Sequence, residues 1–129
     1  INDAYNANPL SMSKAVETFA KLKAPARKIV VLGDMFELGE NSPMYHRQVG
    51  EVVGRCASQI DLFVAIGAVS KEAMVQGAIA AGMSGESILG FESVAQAKDA
   101  LYARGILKPE DTILIKASRG MALEALLEI

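Results

Sequence analysis

The sequence predicts an α/β fold: three layers, doubly wound, with a mainly parallel sheet in the middle. Two observations carry that expectation. Four short apolar runs rich in β-branched residues are continuous rather than alternating, the pattern of strands buried on both faces. Helical spacing of apolar residues fills the gaps between the runs. A strand–helix alternation of this kind calls for parallel strands joined by right-handed crossovers.

The elements follow in order. The first helix is expected from Pro9 to about Leu22, with Met12, Ala15, Val16, Phe19, Ala20 and Leu22 at helical spacing. Pro9 suits its first turn, where the missing N–H would have no partner anyway. "RKIVVLG" (27–33) is the first clear strand, and Ile1–Asp3 reads as the tail of an earlier one. Ser42-Pro43 reads as the N-cap and first turn of a second helix that presents Val49, Val52, Val53 and Cys56 on one face. "IDLFVAIG" (60–67) repeats the strand design. Ser70 is placed to cap a third helix through Met74, Val75, Ala78 and Ile79 to Gly82. "SILGF" (87–91) is a shorter strand, and Ser93 is placed to cap a fourth helix ending near Gly105. "DTILIKA" (111–117) is the last strand, and a final helix starts near Arg119. The order is that of a Rossmann-like sandwich.

The chain has 129 residues and is about half apolar, enough for a single domain over 1–129 with a core that needs no staples. The net charge of −2 gives no electrostatic footprint for nucleic acid or an anionic membrane. No apolar run approaches the ~18–20 residues of a membrane span, and the polar, uncharged start does not read as a signal peptide. Ile1 in place of Met suggests a piece of a longer protein. The single Cys56 excludes an internal disulfide. It reads as a small packed hydrophobe, since a catalytic thiol wants a histidine and the only one, His46, is not brought to it by the sequence.

Ligands of doubly wound sheets bind beyond the carboxyl ends of the strands. The loops there are "NDAYNANP", "GDMFELGENS", "GAVS", "GFES" and "KASRG". The opposite loops, "KAPAR", "GMSGE" and "RGILKPED", look like plain turns. Asp34 and Glu37 follow a strand exit at Gly33, and they read either as a solvated turn or as an acidic ligand loop. Lys116, Ser118 and Arg119 stand where a strand ends and a helix begins. They read either as a plain cap with solvated neighbours or as an anion site, because a helix N-terminus and an arginine fork both suit carboxylate or phosphate. His46 sits in the first turns of a helix and reads as a packing or surface residue. A metal role is disfavoured, since no second His or Cys stands at ligand spacing.

Three motifs now stand together at these spacings: "DAYNANPLSM", "VLGDMFELGENS" with His46 and a "VG" following, and "IKASRGMALE". Over nearly the whole chain the sequence closely resembles the C-terminal domain of bacterial Mur ligases. "YNANP" points to the branch that adds D-Ala-D-Ala to UDP-MurNAc-tripeptide.

The resemblance implies an ATP-dependent carboxylate–amine ligase of peptidoglycan precursor synthesis, working through an acyl phosphate in the bacterial cytoplasm. It implies two further domains absent from this chain: an N-terminal UDP-sugar domain and a central ATPase domain carrying the Walker A loop and most of the Mg²⁺ ligands. No G-x-x-x-x-G-K-[ST] occurs here. The chain alone is therefore expected to be inactive, to hold no catalytic residue and no metal of its own, and to contact the central domain within the parent molecule.

By the same resemblance Asp3 bonds the ATP ribose hydroxyls, and Tyr5, Asn6 and Asn8 line the nucleotide. Asp34 and Glu37 form the acidic loop near the incoming dipeptide's ammonium group. Lys116, Ser118 and Arg119 form the loop for its carboxylate. Ala117 departs from the pattern by standing where Gly is common. His46 matches the motif without an assigned role. Two readings stay beside this one: a non-catalytic Rossmann-like nucleotide-binding or regulatory module, and a complete small enzyme such as a methyltransferase. The last is disfavoured because no Gly-rich loop follows an early strand.

Overall fold

A computed structural model gives the fold for residues 8–118. The expected strand at Ile1–Asp3, the last helix from Arg119, and the site residues Asp3, Tyr5, Asn6 and Arg119 lie outside the described residues. In chain order the elements are α1 (Pro9–Lys21), β1 (Lys28–Gly33), α2 (Ser42–Arg55), β2 (Leu62–Ile66), α3 (Ser70–Ala80), β3 (Ile88–Phe91), α4 (Val94–Lys98) and β4 (Thr112–Lys116). The described sheet has four strands, all parallel, in the order β3-β2-β1-β4.

Side chains alternate across each strand, so this sheet has two apolar faces. Val30, Leu32, Phe63, Ala65, Ile88 and Leu114 pack under α1, α2 and α3 through Met12, Val16, Phe19, Val49, Val53 and Met74. Ile29, Val31, Val64, Ile66 and Ile115 face the other way, onto Ala97 and Leu101 of the α4 region. The sandwich is three-layered, as the continuous apolar strands require.

The strand order also fixes a switch point. From β1 the chain steps one way to β2 and β3, then returns on the opposite face to place β4 on the other side of β1. The crevice beyond the carboxyl ends of β1 and β4 is where such sheets take their ligands.

Several helix ends differ from expectation. Asn8 caps α1: its Oδ1 accepts the Ser11 N–H at 2.9 Å, and Ser11 Oγ accepts the Asn8 N–H at 3.2 Å. At the far end of α1, Lys28 Nζ donates to the carbonyls of Ala20 (2.5 Å) and Leu22 (2.8 Å), a cation placed on the negative pole of the helix. Ser42 is already inside α2 and makes no cap, because a 3₁₀ turn at Gly39–Asn41 leads straight into the helix. Ser70 is likewise inside α3, and its hydroxyl is used elsewhere. Ser93 caps α4 as expected, accepting from Gln96 N–H. The expected single fourth helix is instead a short α-helix continued by a π-helical stretch, Asp99–Ala103.

Cys56 is half-buried at the end of α2, where burial pushes its thiol up, against nucleophilic use. It lies ten residues from His46 on one helix, about 15 Å along the axis.

At the amino ends of the strands, Arg27 forks onto Asp111 with bonds of 3.0 and 2.7 Å, and also reaches the Ile106 carbonyl at 2.9 Å. Arg27 holds the Asp111 carboxyl below the usual aspartate range. A lowered folded-state value means that the stabilisation is complete above the unfolded aspartate value of about 3.9 and is lost as pH falls through the folded value. Asp111→Asn is therefore expected to lower the urea midpoint at pH 6, with the gap to the unmodified chain narrowing below about pH 4. A gap that stays constant to pH 2.5 would exclude the ion pair as its source.

Candidate functional site

The loop after β1 meets the exit of β4 beyond the carboxyl ends of the two strands, at the switch point. Gly33 ends β1, and the following Asp34 is only 8 % exposed. Its carboxylate is not a free surface charge. Oδ1 accepts the Ser70 N–H at 2.8 Å and the Ser70 hydroxyl at 2.7 Å, and Oδ2 accepts the Val69 N–H at 3.4 Å. Asp34 thus caps α3 from a different loop, meeting the positive pole of that helix with a buried negative charge. Gly67 makes room for it. This residue has φ +124, and a Cβ there would collide with the Asp34 carboxyl atoms.

The same loop is tied on two further sides. Ser118, just past β4, donates its N–H to the Asp34 carbonyl at 3.1 Å, and its Oγ accepts the Phe36 N–H at 2.8 Å. These bonds lock the exits of β1 and β4 together across the switch point. His46 of α2 is fully buried, and its Nε2 accepts the Met35 N–H at 2.9 Å. Its Nδ1 lies 2.7 Å from the Ser42 carbonyl. The approach of Nε2 to Asp34 Oδ1, at 3.9 Å, is no ion pair in effect, because that nitrogen's lone pair is committed to the Met35 amide.

What this scaffold presents is the tip of the loop. Phe36 is 46 % exposed, and Glu37 is exposed with φ +62, the only positive φ at a non-glycine among the described residues. A carboxylate is therefore displayed from a loop whose preceding amides are all fixed. Lys116 ends β4 and is buried, 2 % exposed, paired in register with Leu32. It alternates to the same face as Leu114, the face covered by α1, α2 and α3. Ala117 is buried in the opposite apolar layer without a positive φ. The backbone at Ala117 itself needs no glycine. Beside Asp34, Pro43, Ala68, Val69, Glu72, Ala73 and Gln76 line a cleft of about 270 Å³ between the starts of α2 and α3.

Of the site residues named from sequence, the structure brings Asp34, Glu37, His46, Lys116 and Ser118 to one end of the sheet, while Asn8 is committed to its helix cap. Asp34, His46 and Ser118 prove to be the fasteners of the loop, and Glu37 is the group it displays. Ser70 and Gly67 were missed as partners of Asp34. The signal for them is "IGAVS", a loop at the carboxyl end of a strand in which the sequence places Ser70 only as a helix cap. Among the described residues no three His, Cys, Asp or Glu side chains come together to hold a metal ion.

Residues 1–119 match the family model described as Mur ligase, glutamate ligase domain. Among curated proteins, the chain is 34% identical over 134 residues to the UDP-N-acetylmuramoyl-tripeptide--D-alanyl-D-alanine ligase of Bacillus subtilis (strain 168). That alignment takes in 99% of this chain and 27% of the relative. The enzyme of the same name from Escherichia coli (strain K12) is 32% identical over 96% of this chain and 25% of its own length. The chain thus spans about a quarter of the length of the curated relatives it matches.

Among solved structures, a crystal structure of MurF from Acinetobacter baumannii superposes with a TM-score of 0.79 at 29% identity, over 98% of this chain and 26% of that one. MurF from Thermotoga maritima, in complex with ADP, superposes with a TM-score of 0.66 at 27% identity, over the same shares.

Proposed function

The chain belongs to the Mur ligase family through its glutamate ligase domain, and from that membership we propose that it is the C-terminal domain of an ATP-dependent ligase adding D-Ala-D-Ala to UDP-MurNAc-tripeptide. In this reading the remaining three-quarters of the parent hold the UDP-sugar and most phosphate contacts. This chain closes over ATP and presents the dipeptide. The observation that carries the proposal is the joining of the β1 and β4 exits through Ser118, Asp34 and Phe36 at the switch point. It brings an acidic loop tip and a Lys/Ser-bearing strand end side by side, as a zwitterionic dipeptide requires.

The reaction proceeds in two steps. A carboxylate oxygen of the tripeptide attacks the γ-phosphorus of ATP, forming an acyl phosphate and releasing ADP. The dipeptide amine, having lost a proton, attacks the acyl carbon. The tetrahedral intermediate gives up a second nitrogen proton to solvent and expels inorganic phosphate, and the amide remains. The chemistry needs orientation and exclusion of water from the acyl phosphate. Here Glu37 holds the dipeptide ammonium group until it is delivered; Ser118, whose hydroxyl accepts from Phe36 and still has its proton to donate, and Arg119 meet the dipeptide carboxylate, with Lys116 adding positive charge behind them. Asp3, Tyr5, Asn6 and Asn8 line ATP, Asn8 from a position its cap already fixes. The family implies Mg²⁺ as well. The described residues offer it no ligand set, so no step is assigned to it on this chain.

In the full-length parent, Asp3→Ala is expected to raise the ATP KM roughly tenfold, as loss of a charged hydrogen-bond acceptor does, with little change in the D-Ala-D-Ala KM. Arg119→Ala is expected to do the reverse. An unchanged ATP KM in the first variant would refute the ribose contact. A fall in nucleotide affinity alone in the second would refute the carboxylate clamp. A parent that binds nucleotide but forms no amide from these substrates would favour the other reading, a non-catalytic Rossmann-like regulatory module.

A further inference from the structure

We propose that His46 is a positioning residue for this ligation: as a neutral imidazole protonated on Nδ1, it fixes the Met35 backbone and so holds Glu37 at the displayed tip of the ligand loop. The role rests on the reading that Glu37 meets the dipeptide. The tautomer is determined by two partners of fixed polarity; the Ser42 hydroxyl, 3.3 Å from Nδ1, can donate or accept and does not oppose them. The Ser42 carbonyl, 2.7 Å from Nδ1, can only accept, so Nδ1 carries the proton. The Met35 amide, 2.9 Å from Nε2, can only donate, so Nε2 carries the lone pair.

The ring is fully buried, which leaves no water to replace either bond. An imidazolium would set an N–H against the Met35 N–H. Asp34 Oδ1, at 3.9 Å, is beyond hydrogen-bond range and already takes two bonds from Ser70.

The consequence runs along the chain. Met35 N–H is held by His46 of α2, and Phe36 N–H is held by Ser118 beyond β4. Two successive amides fixed from separate elements leave Glu37 little freedom, and it sits at φ +62. A non-glycine residue keeps that conformation only where its surroundings impose it. Removing the His46 bond frees the first anchor and lets Glu37 relax away from the displayed geometry. A histidine serves here better than an amide side chain of similar reach, because the rigid ring carries an acceptor and a donor on opposite edges. It spans from one turn of its own helix to the neighbouring loop.

Two measurements test this. His46 is the only histidine of the 129-residue chain, so its imidazole nitrogens are a single pair of signals in ¹⁵N NMR. At neutral pH Nδ1 is expected to be protonated and Nε2 bare, with the Met35 amide protected from exchange. The opposite tautomer, an imidazolium, or a freely exchanging Met35 amide overturns the proposal.

In the full-length parent, His46→Leu and His46→Asn are expected to raise the D-Ala-D-Ala KM about tenfold, the scale of one lost buried hydrogen bond, while the ATP KM moves less than about twofold. Asn is too short to reach Met35. His46→Gln, whose Oε1 can take the place of Nε2, is expected to restore the unmodified KM. A Gln variant as impaired as Leu, or KM values for both substrates rising together, overturns the positioning role. If His46→Leu does not fold, the Gln and Asn pair decides. A parent that forms no amide at all refutes the ligase reading, and the NMR result then stands apart as a statement about the loop alone.

Discussion

Gly50→Ala is expected to destabilise the chain by about 3 kcal/mol, at the upper end of the cost of overpacking a tight core. The reason is the contact between α2 and α3. A Cβ on Gly50 would sit within the Met74 carbonyl group, one on Gly54 against the Ala78 carbonyl, and one on Gly77 against the Arg47 carbonyl. In each case the obstacle is backbone, which cannot turn aside as a flexible side chain can. The two helices pack backbone to backbone, and α3 in turn carries the N-terminus that Asp34 caps. Forcing α2 and α3 apart would therefore move His46 and Ser70 relative to the loop they hold.

Gly85→Ala is the control, since nothing lies within 4 Å of its added Cβ. It is expected to be neutral or slightly stabilising through the unfolded chain. Urea midpoints of the two variants should differ widely. Equal midpoints would show that the helices can separate at little cost.

Asp34→Ala is the second large effect, expected to cost about 3 kcal/mol. The variant leaves the Ser70 N–H, the Ser70 hydroxyl and the Val69 N–H without their acceptor in a buried setting. Asp34→Asn retains one acceptor oxygen and is expected to lose about 1 kcal/mol. Hydrogen exchange separates this from a general weakening. The Val69 and Ser70 amides should exchange much faster in Asp34→Ala at a denaturant-free pH where the strands remain protected. If those two amides stay protected, the cross-loop cap is not what Asp34 supplies. In the full-length parent the same variant should lose D-Ala-D-Ala use more severely than Glu37→Gln, because it releases the whole loop rather than one of its groups.

Much of the fold was legible because periodicity reports burial. "KIVVLG" and "LFVAI" could be read as doubly buried strands since nearly every residue in them is covered, and Pro9 and Ser93 marked their helix starts correctly. Misreadings clustered where a polar side chain has a choice of partner. Ser42 and Ser70 both looked like caps, and local sequence holds nothing to show that Asp34, thirty-six residues away, takes the Ser70 hydroxyl. From the residues alone Asp34 reads either as part of a solvated turn or as part of an acidic ligand loop, and neither reading contains its burial. Its burial comes from Gly67 and α3, which are distant in sequence. His46 reads from sequence as a packing or surface residue; the structure buries it, and its bonds to Met35 and Ser42 depend on a loop and a helix turn meeting.

The sequence by itself determined the class of the fold and the family, because those follow from hydrophobic period and from three motifs in order. Tertiary structure alone decided which motif residues are displayed and which are fasteners. That division depends on strand order: with β4 placed beside β1 rather than β3, Ser118 meets Asp34 and Phe36, and a ladder of hydrogen bonds between segments more than eighty residues apart fixes the loop. A hydrogen bond is made by the approach of two groups in space, and the sequence lists groups without saying which of them meet.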